Sequence, residues 1–190
     1  MKKLTIILSA FIVFASFTTL TPWKGDKAHS QLAFTVTHLG VSDVTGTFND
    51  FDVVATATKD DFSDAVFELA ADVASIDTRV EARDKHLKSP DFFDAAKYPK
   101  LTFKSTSLKS VGKDNYILTG NLSLHGVTKE VTMDLVYRGT TDNPMSKART
   151  AGFKLTGSIN RSDFNVGNNF PAAIISDKVS IEADGEFVKN

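Results

Sequence analysis

From His29 onward the chain alternates apolar and polar residues with a period of two, run after run, and that rhythm restricts it to β structure. Over residues 29–39, Leu32, Phe34, Val36 and His38 share one face, while Gln31, Ala33, Thr35 and Thr37 share the other. Residues 44–48 alternate likewise and lead into residues 51–58. Phe67, Leu69, Ala71 and Val73 oppose Glu68, Ala70 and Asp72; Leu101, Phe103 and Ser105 oppose Thr102 and Lys104. In the second half the apolar faces are Tyr116–Leu118–Gly120–Leu122–Leu124, Val131–Met133–Leu135–Tyr137, Phe153–Leu155–Gly157–Ile159 and Val179–Ile181–Ala183–Gly185–Phe187. Turn-forming runs separate them at residues 113–115, 125–129 and 139–144. Some eight strands on hairpin-length links predict an all-β antiparallel sheet that closes or folds over. Period alone does not separate a barrel from a sandwich. A barrel of about eight strands is just wide enough to be filled by its own side chains or to hold one slender ligand.

One stretch breaks the rhythm. Thr78-x-x-Glu81 has the form of a capping box, with Asp77 just before it as a second candidate cap. Ser89-Pro90-Asp91 has the order of N-cap, first-turn proline and dipole-complementing acid. Phe92 and Phe93 offer a buried face, and Pro99 forces Tyr98 toward extended geometry. Together they predict one or two short helices around residues 78–97, packed over one end of the sheet.

The first residues read as a leader. Lys2 and Lys3 precede an apolar run over residues 4–17, and Val13 and Ala15 have the small-residue spacing of a cleavage site falling within residues 15–21. Residues 1–21 are therefore expected to be a signal peptide and residues 22–190 a single domain, periplasmic or secreted. Removing two of the 22 basic residues leaves 20 against 23 acidic ones, which argues against a nucleic-acid partner. No later run is long and apolar enough to span a bilayer, so no stable membrane insertion is expected after cleavage. There is no cysteine. Stability must then come from burial and hydrogen bonding, and lipid attachment through an N-terminal cysteine is excluded.

Several blocks, in order, carry a resemblance. They are His29-Ser-Gln-Leu-Ala-Phe34 with His38-Leu-Gly40, Val44-Thr-Gly-Thr-Phe48 and Ser75-Ile-Asp-Thr78. Next come Arg83-Asp-Lys-His-Leu-Lys-Ser-Pro-Asp-Phe-Phe-Asp94 and Tyr98-Pro-Lys-Leu-Thr-Phe103. Gly120-Asn-Leu-Ser-Leu-His-Gly-Val-Thr128 and Ile159-Asn-Arg-Ser-Asp-Phe164 complete the set. Over about residues 23–187 the chain resembles the YceI-like family, the lipocalin-like polyisoprenoid-binding proteins of bacteria; residues 165–171 are not matched to that pattern. The resemblance implies an extended eight-stranded antiparallel lipocalin-like barrel. Its long apolar lumen would take an isoprenoid, such as a quinone tail or polyprenyl phosphate, with no catalytic machinery.

With that resemblance, Phe34, Val36, His38, Phe48, Phe67, Leu69, Phe103, Leu122, Leu124, Met133, Leu135, Phe153 and Leu155 are expected to line the lumen. From the residues alone, the same faces could simply fill a core. Arg83, His86 and Arg161 are the candidate head-group or rim contacts, with Arg79 and Lys85 beside them. Each has a structural alternative: Arg83 pairing with Asp84 at a helix end, Arg161 with Asp163 in a turn, His38 as a hydrogen-bonded core histidine. A tail of about forty heavy atoms at about 0.3 kcal/mol each could supply about 12 kcal/mol. An exposed head-group ion pair adds about 1 kcal/mol or less, so the tail should decide affinity.

Catalytic signals are weak. There is no nucleophile elbow and no glycine-rich phosphate loop. Ser123 and His125 would share a strand face, but with no orienting carboxylate. His29, His38, His86 and His125 lack metal-ligand spacing, so no metal is expected and a site could be assembled only from distant elements. No cofactor is required beyond a bound isoprenoid lipid or quinone. The expected partner is a long apolar small molecule, with a homodimer left open. Two other readings stand beside this one: an accessory enzyme or redox factor of isoprenoid quinone metabolism, and a stress-related structural protein with a filled core.

Overall fold

The computed structural model describes residues 22–189; the expected leader lies outside them. The strands are β1 (Pro22–His38), β2 (Ser42–Phe48), β3 (Phe51–Thr56), β4 (Val66–Asp72), β5 (Ile76–Asp77), β6 (Lys100–Gly112), β7 (Asn115–Leu124), β8 (Val127–Asp142), β9 (Arg149–Asn160) and β10 (Lys178–Lys189). One helix, α1 (Glu81–Leu87), lies between β5 and β6. All ten strands belong to one sheet, and β10 pairs back onto β1 from Trp23 opposite Lys189 to Thr35 opposite Ser180. That pairing decides between barrel and sandwich.

Ten strands make eight staves. Both β2 and β3 pair with β1, the first along Ala33–His38 and the second along Pro22–Lys24, so they are one bent stave. A short 3₁₀ turn over Val73–Ser75 likewise joins β4 to β5, which pairs with β2. Every neighbouring pair is antiparallel. The closed eight-stranded barrel is the expected fold.

Alternation explains most of the burial. On β7, Tyr116, Leu118, Leu122 and Leu124 are buried while Asn121 is exposed. His125 and Gly126 turn the chain into β8 with positive φ at both, as two-residue hairpins require. Two local expectations are corrected. The turn expected at residues 139–144 starts only at Asn143: β8 runs on to Asp142, and Gly139 at φ 106 instead accommodates a register shift within the strand. The turn falls at residues 143–148, where the Asn143 carboxamide oxygen accepts from the N–H groups of Met145 and Ser146.

Of the one or two helices expected, the insertion holds one. The capping box does not form, because Arg79 takes a left-handed φ of 64° and the Thr78 hydroxyl is engaged elsewhere. Ser89 does accept from the Asp91 N–H, at 3.3 Å, as a cap would. Asp94 then turns left-handed at φ 47° before a second helix can propagate.

Two apolar clusters occupy the interior. One is centred on Phe62, Trp23, Phe67, Tyr116, Phe153 and Phe187. The other joins Leu32, Phe48, Leu101, Leu122 and Leu124 to Phe92, Phe164 and Val166 from the segments that cross the opposite end. Between them the barrel is hollow.

Candidate functional site: a blind apolar lumen

The hollow is a cavity of about 520 Å³, inside the 300–1,000 Å³ range typical of small-molecule sites. A filled core would have left no such space. Phe67, Leu118, Leu135, Phe153 and Phe187 form its floor, and all five are buried. Beneath them Phe62 seals the end: its ring lies 5.0 Å from Trp23, 5.3 Å from Tyr137 and 5.0 Å from Phe153, in edge-on or tilted contact. Phe62 reaches this place from the loop between β3 and β4, where Asp64 accepts from the N–H groups of Thr58 and Lys59 and from the Thr58 hydroxyl.

All thirteen residues expected to face the lumen line this one cavity. Phe34, Val36, Leu69, Phe103 and Leu155 are only partly buried, leaving apolar surface toward the hollow. His38 is placed differently from the core reading. It is exposed at the mouth, the last residue of β1, paired with Ser42 on one side and bridged to Ile175 on the other.

Glycines keep the wall thin. A Cβ at Gly46 would come within 2.4 Å of the Phe34 ring, one at Gly120 within 2.5 Å of the Phe103 ring, and one at Gly157 within 2.1 Å of the Met133 sulfur. These large side chains therefore lie against the wall over a glycine and do not project across the space. The Ser30 hydroxyl, beside Gly185 in the lining, is buried with no hydrogen-bond partner among the described residues. Such a group costs about 1–3 kcal/mol if left unpaired.

The mouth carries the three expected head-group residues, in three different states. Arg161 is buried, and every N–H it owns is engaged: Nε donates to the Ser176 carbonyl, Nη1 to Val166 and Gly167, and Nη2 to Phe170 and Ile175. Its guanidinium ties down residues 166–176, and no donor is left for a head group. The expected partnership with Asp163 is absent. Asp163 meets Lys129 at 2.8 Å, and that ammonium holds its carboxyl below the usual range.

Arg83 does not pair with Asp84; both clasp Thr78. Arg83 donates from Nε to the Thr78 hydroxyl and from Nη2 to its carbonyl, each at 2.7 Å, while Asp84 accepts from the Thr78 N–H and hydroxyl. Nη1 of Arg83 has no hydrogen-bond partner among the described residues, which leaves it a cationic donor at the rim. His86 meets Asp91 through Nε2 at 3.0 Å, and its ring stands edge-on to Phe92 and Phe170.

Sequence reasoning missed Phe170, Ile174 and Ile175, which lie in the unmatched run after Asn165 and its neighbours. Phe170 stacks on Phe92 at 4.7 Å across the mouth. Nothing periodic marks it. Val179, Ile181 and Phe187 of β10 also line the lumen; their alternation was visible, and only their share of the wall went unassigned. Ser123 and His125 are drawn apart: the Ser123 hydroxyl meets Thr128, and His125, in the turn, meets the Phe164 carbonyl.

Comparison with known proteins bears on this geometry. A family model for the YceI-like domain matches residues 23–187. The UPF0312 protein SA2479 of Staphylococcus aureus strain N315 is 39% identical over 168 residues, 88% of this chain and 94% of that protein. Among solved structures, BcnA of Burkholderia cenocepacia superposes with a TM-score of 0.77 at 25% identity, covering 85% of this chain and 98% of the other. The Campylobacter jejuni YCEI protein gives 0.73 at 29% identity, covering 81% and 90%. A Saccharophagus degradans domain described as polyisoprenoid binding shares the fold at 17% identity, with a TM-score of 0.68 over 90% of this chain and 100% of that one.

Proposed function

This chain belongs to the YceI-like family, and we propose that it is an exported carrier enclosing a long apolar molecule of the polyisoprenoid class, a quinone tail or polyprenyl phosphate, for storage, shielding or transport. The observation that carries the reading is a continuous apolar lumen, blind at the Phe62 end and open beside Arg83, His86 and Phe170. Its mechanism is enclosure. Apolar chain leaves water for a preformed cavity, at about 0.8 kcal/mol for each methylene buried. Arg83, with one terminal nitrogen uncommitted, orients the head group and contributes little to affinity. The description of the Saccharophagus degradans domain as polyisoprenoid binding supports the choice of ligand class. The basic start and apolar run before residue 22 support export. A binding role without catalysis is supported by where the imidazoles sit, His38 and His86 at the mouth and His125 outside the lumen lining.

Protein purified from its native host should show bound isoprenoid by native mass spectrometry, recovered on organic extraction. Phe34→Arg and Leu122→Arg place a charge in the lumen and should abolish retention, whereas Arg83→Ala should weaken it only modestly. Equal retention by all three variants would sink the lumen as the site.

A further inference from the structure

The seam where the barrel closes is irregular at one point. Pairing of β1 with β10 runs from Trp23 opposite Lys189 to Gly25 opposite Phe187, then resumes at Ser30 opposite Gly185. Four residues of β1, Asp26 to His29, therefore stand against a single residue of β10, Glu186. Bulges re-aim side chains and concentrate beside functional sites. Here the two ends of the bulge and the residue opposite converge: Asp26, His29 and Glu186 each offer a ligand atom, all within 4.8 Å of one another.

We propose that this bulge is a site for a divalent transition-metal ion of the zinc type, bound by Asp26, His29 and Glu186. One imidazole and two carboxylates form a mixed nitrogen and oxygen set that suits zinc and its neighbours better than magnesium or calcium. The two carboxylates match the charge of the ion, and water completes the shell. Part of the site is already organised. Asp26 accepts from the Ala28 N–H through Oδ1 at 2.9 Å, while its Oδ2 lies 2.8 Å from His29 Nδ1. The ion takes the place of the proton held between those two atoms, and that proton goes to solvent. Lys27, inside the same bulge, would oppose a cation, but its ammonium is drawn away to Asp50 at 3.0 Å and Asp52 at 3.2 Å. Gly185 and Phe187 are buried, so Glu186 between them faces outward and the site is separate from the lumen. A bound ion would bridge β1 and β10 where their hydrogen-bond ladder is interrupted, stapling the closure of the barrel.

The test uses tag-free mature protein, stripped with EDTA and titrated with zinc chloride by calorimetry, with magnesium chloride as comparison. Zinc should bind at one equivalent and raise Tm by about 2–4 °C, the shift expected for about 1 kcal/mol in a chain of this size, while magnesium does neither. His29→Ala and Glu186→Gln should each weaken zinc binding about tenfold or more, with circular dichroism showing both folded. His125→Ala should bind as the parent does. Absence of one-equivalent zinc binding in the parent, or binding unchanged in both His29→Ala and Glu186→Gln, would overturn the site.

Discussion

Phenylalanines stand at both ends of the barrel, yet the two ends are built on opposite principles. At the blind end, Trp23, Phe67, Tyr137, Phe153 and Phe187 come from β1, β4, β8, β9 and β10, and Phe62 is wedged among them. The strand ladder fixes each of those backbones, and the rings meet edge to face at 5.0–6.0 Å. At the mouth, Phe92 and Phe170 stack from segments that belong to no strand. What holds the second of these in place is one side chain, Arg161, bonded to five carbonyls. Order is distributed at the first end and concentrated at the second. An aromatic plug should therefore behave as a wall where many strands anchor it, and as a door where one guanidinium does.

That contrast can be broken by experiment. Phe62→Ala should have the largest effect, a loss of about 3–5 kcal/mol in urea denaturation, because a fully buried ring leaves a cavity that strand-fixed neighbours cannot collapse into. Arg161→Met should follow at about 3 kcal/mol, since it strands several buried carbonyls without donors. Limited proteolysis should then cut within residues 165–176 while the strands stay protected. A loss below about 0.5 kcal/mol, which is the range of ordinary surface substitutions, would show that order at the mouth does not rest on Arg161. Phe170→Ala should be the mildest, about 1 kcal/mol from a lost stacking contact. Yet it should speed release of a fluorescent polyene from the lumen in stopped-flow measurements, which separates door from wall.

The same division governs what could be read in the sequence. The walls were legible because burial and strand period are locked together, as on β7, where Leu118, Leu122 and Leu124 point inward in strict alternation. The Gly139 register shift escaped because a bulge is a property of the pairing, not of the strand that carries it. Thr78 looked like a cap because nothing nearby shows that Arg83 and Asp84 converge on it. Arg161 looked like a head-group ligand because a charge near a rim suggests an ion pair. Its five partners are carbonyls, which leave no trace in a one-letter code. Phe170 sits in an aperiodic run whose place over the mouth depends on that same arginine.

The pairing of Trp23 with Lys189 has a temporal consequence as well as a spatial one. The first stave waits for the last, so no stretch of the described chain that stops short of β10 can close the barrel. Closure joins residues from opposite ends of the described chain, the kind of distant contact that slows folding. The lumen comes into existence only once β10 has paired with β1. Whatever the lumen encloses is therefore enclosed only after residues 178–189 have joined the sheet.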